Sequence, residues 1–104
     1  MSPLDPSASF HLAQADDGVV IAVGEIDMVA GPQLEALVLP LERPGAVVID
    51  LSAVTFLDSS GLRTLLKIAR AAGERGDEVV LRSPSAEVDR LLELTGTREQ
   101  FTFA

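Results

Sequence analysis

Asp58-Ser59-Ser60-Gly61 stands between an apolar segment, Val54-Thr55-Phe56-Leu57, and a long amphipathic run. Asp and Ser side chains accept hydrogen bonds from the unpaired amides of a helix start, a cap worth about 1 kcal/mol. One cap suffices, yet three candidate residues and a glycine stand in a row here. A serine hydroxyl at a helix start also suits phosphorylation. The helix amides and dipole favour a phosphate there, while the Asp58 charge opposes it. The chemistry expected is therefore an exposed switch that changes a surface and spares the fold. A second acidic group, Gly24-Glu25-Ile26-Asp27, follows the apolar run Val19–Val23. It reads equally as solvated loop acids and as a recognition loop. Binding sites in α/β sheets collect beyond the carboxyl ends of the strands, so both groups are expected on one edge, close in space.

Other reactive groups are sparse. There is no cysteine and one histidine, His11, which excludes disulfides, iron–sulfur clusters and zinc sites of the usual nitrogen and sulfur type. A serine hydrolase needs a base for its hydroxyl and an oxyanion hole. The Gly-x-Ser-x-Gly elbow is absent, and His11 falls in the first strand, away from Ser59. Asp50 ends an apolar strand as a receiver's phosphoacceptor aspartate does. Receivers also need a lysine late in the chain, and the single lysine, Lys67, lies within a helical pattern. Gly-rich nucleotide loops are missing as well. Neither enzymatic activity nor a cofactor is expected, and no small-molecule substrate. His11 reads as a half-buried strand residue and Met28 as loop packing. Arg63, Lys67 and Arg70 form a solvated helical row that suits an acidic partner.

The elements that must position these groups follow from hydropathy. Residues 1–8, with Pro3 and Pro6 among serines, read as a flexible tail before one domain at 9–104. A short strand from Phe10 to Ala13 and the turn Asp16-Asp17-Gly18 open a hairpin. Val19–Val23 is a continuous apolar run, as in a strand buried on both faces, and Ala46–Leu51, apolar but for Asp50, reads as a second buried strand. Between them Leu34, Leu37, Val38 and Leu41 form one helical stripe, with Pro32 at its start and Pro40, Pro44 and Gly45 ending it. The second helix buries Leu62, Leu65, Leu66, Ala69 and Ala72 and turns Arg63, Lys67, Arg70 and Glu74 outward. Gly73 and Gly76 bracket its end. Glu78–Arg82 is another strand. A third helix from Ser83-Pro84-Ser85 to Thr95-Gly96 buries Val88, Leu91 and Leu92, and Phe101–Phe103 is a terminal strand. The fold class is α/β, in the order β-β-α-β-α-β-α-β, with a mainly parallel sheet and right-handed crossovers.

Composition agrees. At 104 residues and 11.0 kDa there is room for one core, which removes roughly 65% of the unfolded chain's surface from water. A hydrophobic fraction of 47% and a mean hydropathy of +0.31 supply that core. A net charge of −8 opposes direct nucleic-acid binding and a polybasic membrane contact. No apolar run reaches the roughly 20 residues of a membrane span, and the start carries no signal-peptide pattern, so a cytoplasmic protein is expected.

Val47-Val48-Ile49-Asp50-Leu51 through Phe56-Leu57-Asp58-Ser59-Ser60-Gly61-Leu62, then Leu65-Leu66, resembles the signature of STAS domains. More narrowly, the chain is similar to the bacterial anti-sigma factor antagonists. Gly24-Glu25-Ile26-Asp27 matches a second motif of that family, and Leu91-Leu92-Glu93-Leu94-Thr95-Gly96 resembles its terminal segment. The resemblance covers about residues 9–104. It implies a single STAS-like domain acting as a reversible protein-binding switch. An anti-sigma factor that is also a serine kinase phosphorylates the antagonist, which then lets go, and a metal-dependent serine phosphatase restores it. By the same resemblance Ser59 is the phosphoacceptor. Glu25, Asp27, Asp58, Ser60, Gly61 and Arg63 are expected in the partner interface, and ATP and magnesium belong to the kinase. STAS domains also serve as constitutive adaptors in sensory or lipid-transport complexes, without a phosphorylation cycle. Two departures stand out. Ala30 lacks the hydroxyl that commonly caps the first helix, leaving Asp27 or Gly31 for its start, and Thr97 replaces a leucine.

Overall fold

The computed structural model describes residues 10–39 and 46–104. The expected tail at 1–8, the stripe residue Leu41 and the helix-ending residues Pro40, Pro44 and Gly45 lie outside them. The elements are β1 (Phe10–Gln14), β2 (Val20–Ile26), α1 (Ala30–Val38), β3 (Ala46–Leu57), α2 (Ser59–Glu74), β4 (Glu78–Arg82), α3 (Ala86–Leu94), a single 3-10 turn (Arg98–Gln100) and β5 (Thr102–Phe103). Apart from that turn, the order is the one read from the sequence.

The sheet runs β1-β2-β3-β4-β5. β1 pairs antiparallel with β2 through the Asp16–Gly18 turn, and the other three pairings are parallel. Each parallel crossover steps the same way across the sheet, and right-handed crossovers of that kind put every helix on one face. Burial shows this directly. Val20, Ala22, Val47, Ile49, Leu51, Val79 and Leu81 are buried, while their neighbours Ile21, Val48 and Val80 are half-buried and Val23 is 37% exposed. The expectation of strands buried on both faces is thus corrected: among the described residues, helices cover one face only. The continuous apolar runs misled because β-branched residues suit a pleated surface even where it is half-exposed.

A second correction concerns β3. It does not stop near Leu51 but runs twelve residues to Leu57. Asp50 is therefore mid-strand. Two register shifts against β2, between Ile21 and Val23 and between Gly24 and Glu25, each insert an extra residue on the β3 side. They explain why the buried residues Leu51, Val54 and Leu57 are three apart where an ideal strand would space them by two. Gly24 at the second shift has φ +102°, a conformation glycine tolerates without strain.

α1 packs on α2 and β2, α2 on the sheet beside it, and α3 on β3. α2 buries Gly61, Leu62, Leu65, Ile68 and Ala72; Leu66 and Ala69, expected in this set, are half-buried at its border. α1 begins at Ala30, two residues before Pro32. In α3 Val88 and Leu92 are buried and Leu91 half-buried, with Ser85 as N-cap, its hydroxyl accepting from the Val88 N–H at 3.4 Å. Thr97 closes α3 from the far side: its hydroxyl lies 2.9 Å from that of Thr95 and donates to the Leu92 carbonyl at 3.4 Å. His11 is exposed, not half-buried, because in register with Val23 it faces the uncovered side.

Candidate functional site

β2 and β3 end side by side, with Glu25 beside Phe56 and Ile26 beside Leu57. The loops that leave them, one into α1 and one into α2, therefore start from adjacent points. The Asp58 N–H donates to the Ile26 carbonyl at 3.3 Å and ties the loops together. The two acidic motifs thus meet at one sheet edge, as expected.

Asp58 is the N-cap of α2. Its Oδ1 accepts from the Gly61 N–H at 2.8 Å, and its carbonyl accepts from Leu62 at 2.9 Å. Gly61 is required by contact: a Cβ there would lie 2.1 Å from the Ile26 carbonyl oxygen and 2.6 Å from a Leu57 methyl. Asp27 does the same work for α1. Its Oδ1 accepts from the amides of Val29 at 3.0 Å and Ala30 at 2.9 Å, and its carbonyl accepts from Gly31 at 2.9 Å. The hydroxyl missing at Ala30 is thus replaced by a carboxylate three residues earlier.

With both caps made by aspartates, neither cap uses the Ser59 hydroxyl. Ser59 is exposed at the first position of α2, while Ser60 is half-buried with its carbonyl accepting from the Thr64 hydroxyl at 3.3 Å. Glu25 and Arg63 are exposed and Asp27 and Asp58 half-buried. Three large apolar residues complete the surroundings: Met28 is 74% exposed, Val29 67% and Phe56 48%. Met28 is not loop packing, since Asp27 turns the chain outward there. Phe56 was not singled out from the sequence; the lengthened spacing of Leu51, Val54 and Leu57 was the available signal. Large apolar side chains exposed in this way are suited to contact with another protein.

Along α2, Lys67 pairs with Glu35 of α1 at 2.8 Å. Arg63, Lys67, Arg70 and Leu66 line a shallow depression of about 340 Å³. Asp50 is engaged elsewhere, on the uncovered face. Its Oδ2 accepts from Arg82 at 2.9 and 3.1 Å, and its Oδ1 from the Ser52 hydroxyl at 2.7 Å and amide at 2.8 Å. Burial pushes its pKa up, but the Ser52 bonds and then Arg82 outweigh that and hold it below the usual value. Among the described residues no cluster of three or more metal-ligating side chains occurs, and no helix is long and apolar enough to cross a membrane.

Comparison with known proteins adds the following. Residues 12–104 match the family model of the STAS domain. The anti-sigma-B factor antagonist of Staphylococcus aureus (strain NCTC 8325 / PS 47) is 28% identical over 78 residues, which are 73% of this chain and 72% of that protein. An anti-sigma factor antagonist from Mycobacterium paratuberculosis is 35% identical in its crystal structure, with a TM-score of 0.69 over 90% of this chain and 82% of that one. The Bacillus protein SpoIIAA, an anti-sigma factor antagonist, shares the fold. Its unphosphorylated structure gives a TM-score of 0.70 at 22% identity, covering 91% of this chain and 87% of that one. Its phosphorylated structure gives 0.65 at 21%, covering 91% and 90%.

Proposed function

Since this chain belongs to the STAS domain family, we propose that it is an anti-sigma factor antagonist, which frees a sigma factor by binding a kinase-type anti-sigma factor. Phosphorylation of Ser59 switches it off. The observation that carries this reading is the division of labour at α2: Asp58 caps the helix, and the exposed Ser59 hydroxyl is left over. Relatives that are anti-sigma factor antagonists support the same role.

In the phosphorylation step the Ser59 Oγ–phosphorus bond forms as the bond to ADP breaks, and the hydroxyl proton passes to a base in the kinase. ATP and magnesium come with the kinase. A serine phosphatase reverses the step by hydrolysis. Glu25, Asp27, Asp58, Ser60, Gly61 and Arg63 form or hold the contact surface, with Met28, Val29 and Phe56 as its apolar part. A phosphate adds nearly two negative charges beside Glu25, Asp27 and Asp58, and disrupting a desolvated contact in this way costs about 2–5 kcal/mol of binding. The fold is spared because Ser59 is exposed. Sigma factors act in the cytoplasm, and we place the protein there.

The test is a pull-down from native lysate with Ser59→Ala and Ser59→Asp baits side by side, the captured proteins identified by mass spectrometry. An ATP-binding anti-sigma factor held by the alanine form and lost from the aspartate form is the expected result. Equal capture of one partner by both forms would overturn the switch and make the protein a constitutive adaptor.

A further inference from the structure

Most cations of the described residues are already engaged. Lys67 pairs with Glu35, Arg75 with Asp77 and the Leu39 carbonyl, Arg82 with Asp50, and Arg98 with Asp89 and the face of the Phe103 ring. Arg63, Arg70 and Arg90 make no hydrogen bond or ion pair among the described residues. Arg63 follows Ser59 by four positions on α2, and both side chains are exposed. Residues four apart on a helix share a face, with Cβ atoms about 5–6 Å apart. Arg63 lines the depression it shares with Leu66, Lys67 and Arg70, and because helix side chains lean toward the N-terminus its long side chain can also reach back one turn to Ser59. Arg70 begins about 16 Å further along the axis than Ser59, at 1.5 Å per residue, which is out of reach.

We propose that Arg63 is the intramolecular partner of the phosphate on Ser59, and that phosphorylation withdraws its guanidinium from the partner-facing surface. The inference rests on the phosphorylation reading above and deepens it. Apart from the amides of the α2 start, the motif residues around the phosphate are acidic: Asp58 at the N-cap, Glu25 near the end of β2 and Asp27 just after it. Lys67, one turn beyond Arg63, is held by Glu35. A guanidinium offers a planar fork of N–H donors that fits phosphate oxygens. Modification therefore changes the surface twice, by adding negative charge and by taking away a positive group.

The experiment installs phosphoserine at position 59 during synthesis, so no kinase is needed, and follows the phosphate by 31P NMR against pH. The forms compared are wild type, Arg63→Gln, Arg63→Lys and Arg70→Gln. The second phosphate ionisation, near 6 for an unperturbed phosphoserine, is expected about half a pH unit lower in the wild type than in Arg63→Gln. Arg63→Lys should keep part of that shift, and Arg70→Gln should titrate as wild type. Identical curves for wild type and Arg63→Gln would overturn the proposal, as would an Arg70→Gln curve displaced as far as that of Arg63→Gln. Either result would leave kinase binding untouched, and failure of kinase binding would leave this titration valid.

Discussion

Ser59 and Asp58 are adjacent polar residues at one helix start, yet they do opposite things. Asp58 faces inward to the Gly61 amide, and its replacement by alanine should cost about 1 kcal/mol, read as a lower urea midpoint with faster amide exchange in the first turn of α2. Gly61→Ala should cost more, about 2–3 kcal/mol, because the new methyl meets a backbone oxygen that no rotamer change can move. The sequence showed the redundancy at this motif but not which residue was the cap, since Asp and Ser serve equally well there. Asp50 yields a pH prediction. Its folded pKa is held below the unfolded value of 3.8, so its contribution to stability is present above that value and is lost as pH falls through the folded pKa. Asp50→Asn should therefore unfold at lower urea than wild type at pH 7, by about 1–2 kcal/mol. The gap should narrow as pH falls below 3.8; a gap that widened in acid would refute the assignment.

At the scale of elements, the helices and the parallel strands were legible because their apolar spacing is regular and their ends carry Gly, Pro, Ser and Asp. What was not legible was created by pairing. The two extra residues that β3 accommodates against β2 lengthen it to Leu57, shift its buried positions and leave Phe56 in water. The three-residue spacing of Leu51, Val54 and Leu57 is the one local trace in β3 of bulges whose cause lies partly in the partner strand's Gly24. The start of α1 was half-legible: Asp27 was a named candidate, and the structure shows its carboxylate holding the amides of Val29 and Ala30. Asp27→Ala should loosen α1, costing about 1 kcal/mol, and Asp27→Asn, which keeps the acceptor oxygen, should restore most of it. Thermal unfolding of the two variants checks this. If both lose equally, the charge and not the cap matters.

Across the described residues, the one-way strand order puts the helices on one side of the sheet, as right-handed crossovers require, and leaves the other side without them. Length allowed one core and hydropathy patterning gave its α/β class, but neither revealed that asymmetry, because alternation was hidden inside runs such as Val47-Val48-Ile49. It makes neighbouring residues unequal. Ile49→Ala, at a fully buried position, should cost about 2–5 kcal/mol. Val48→Ala, on the uncovered side, should cost under about 1.5 kcal/mol, and comparable losses in urea melts would contradict a one-sided core. The covered face bears the helices, and the edge where β2 and β3 end bears the acidic loops, the exposed apolar residues and Ser59. The most direct test is calorimetric binding of the anti-sigma factor recovered with the Ser59→Ala bait to unphosphorylated and Ser59-phosphorylated protein. The account predicts a Kd weakened at least about 30-fold by the phosphate. Equal affinities for the two forms would contradict it.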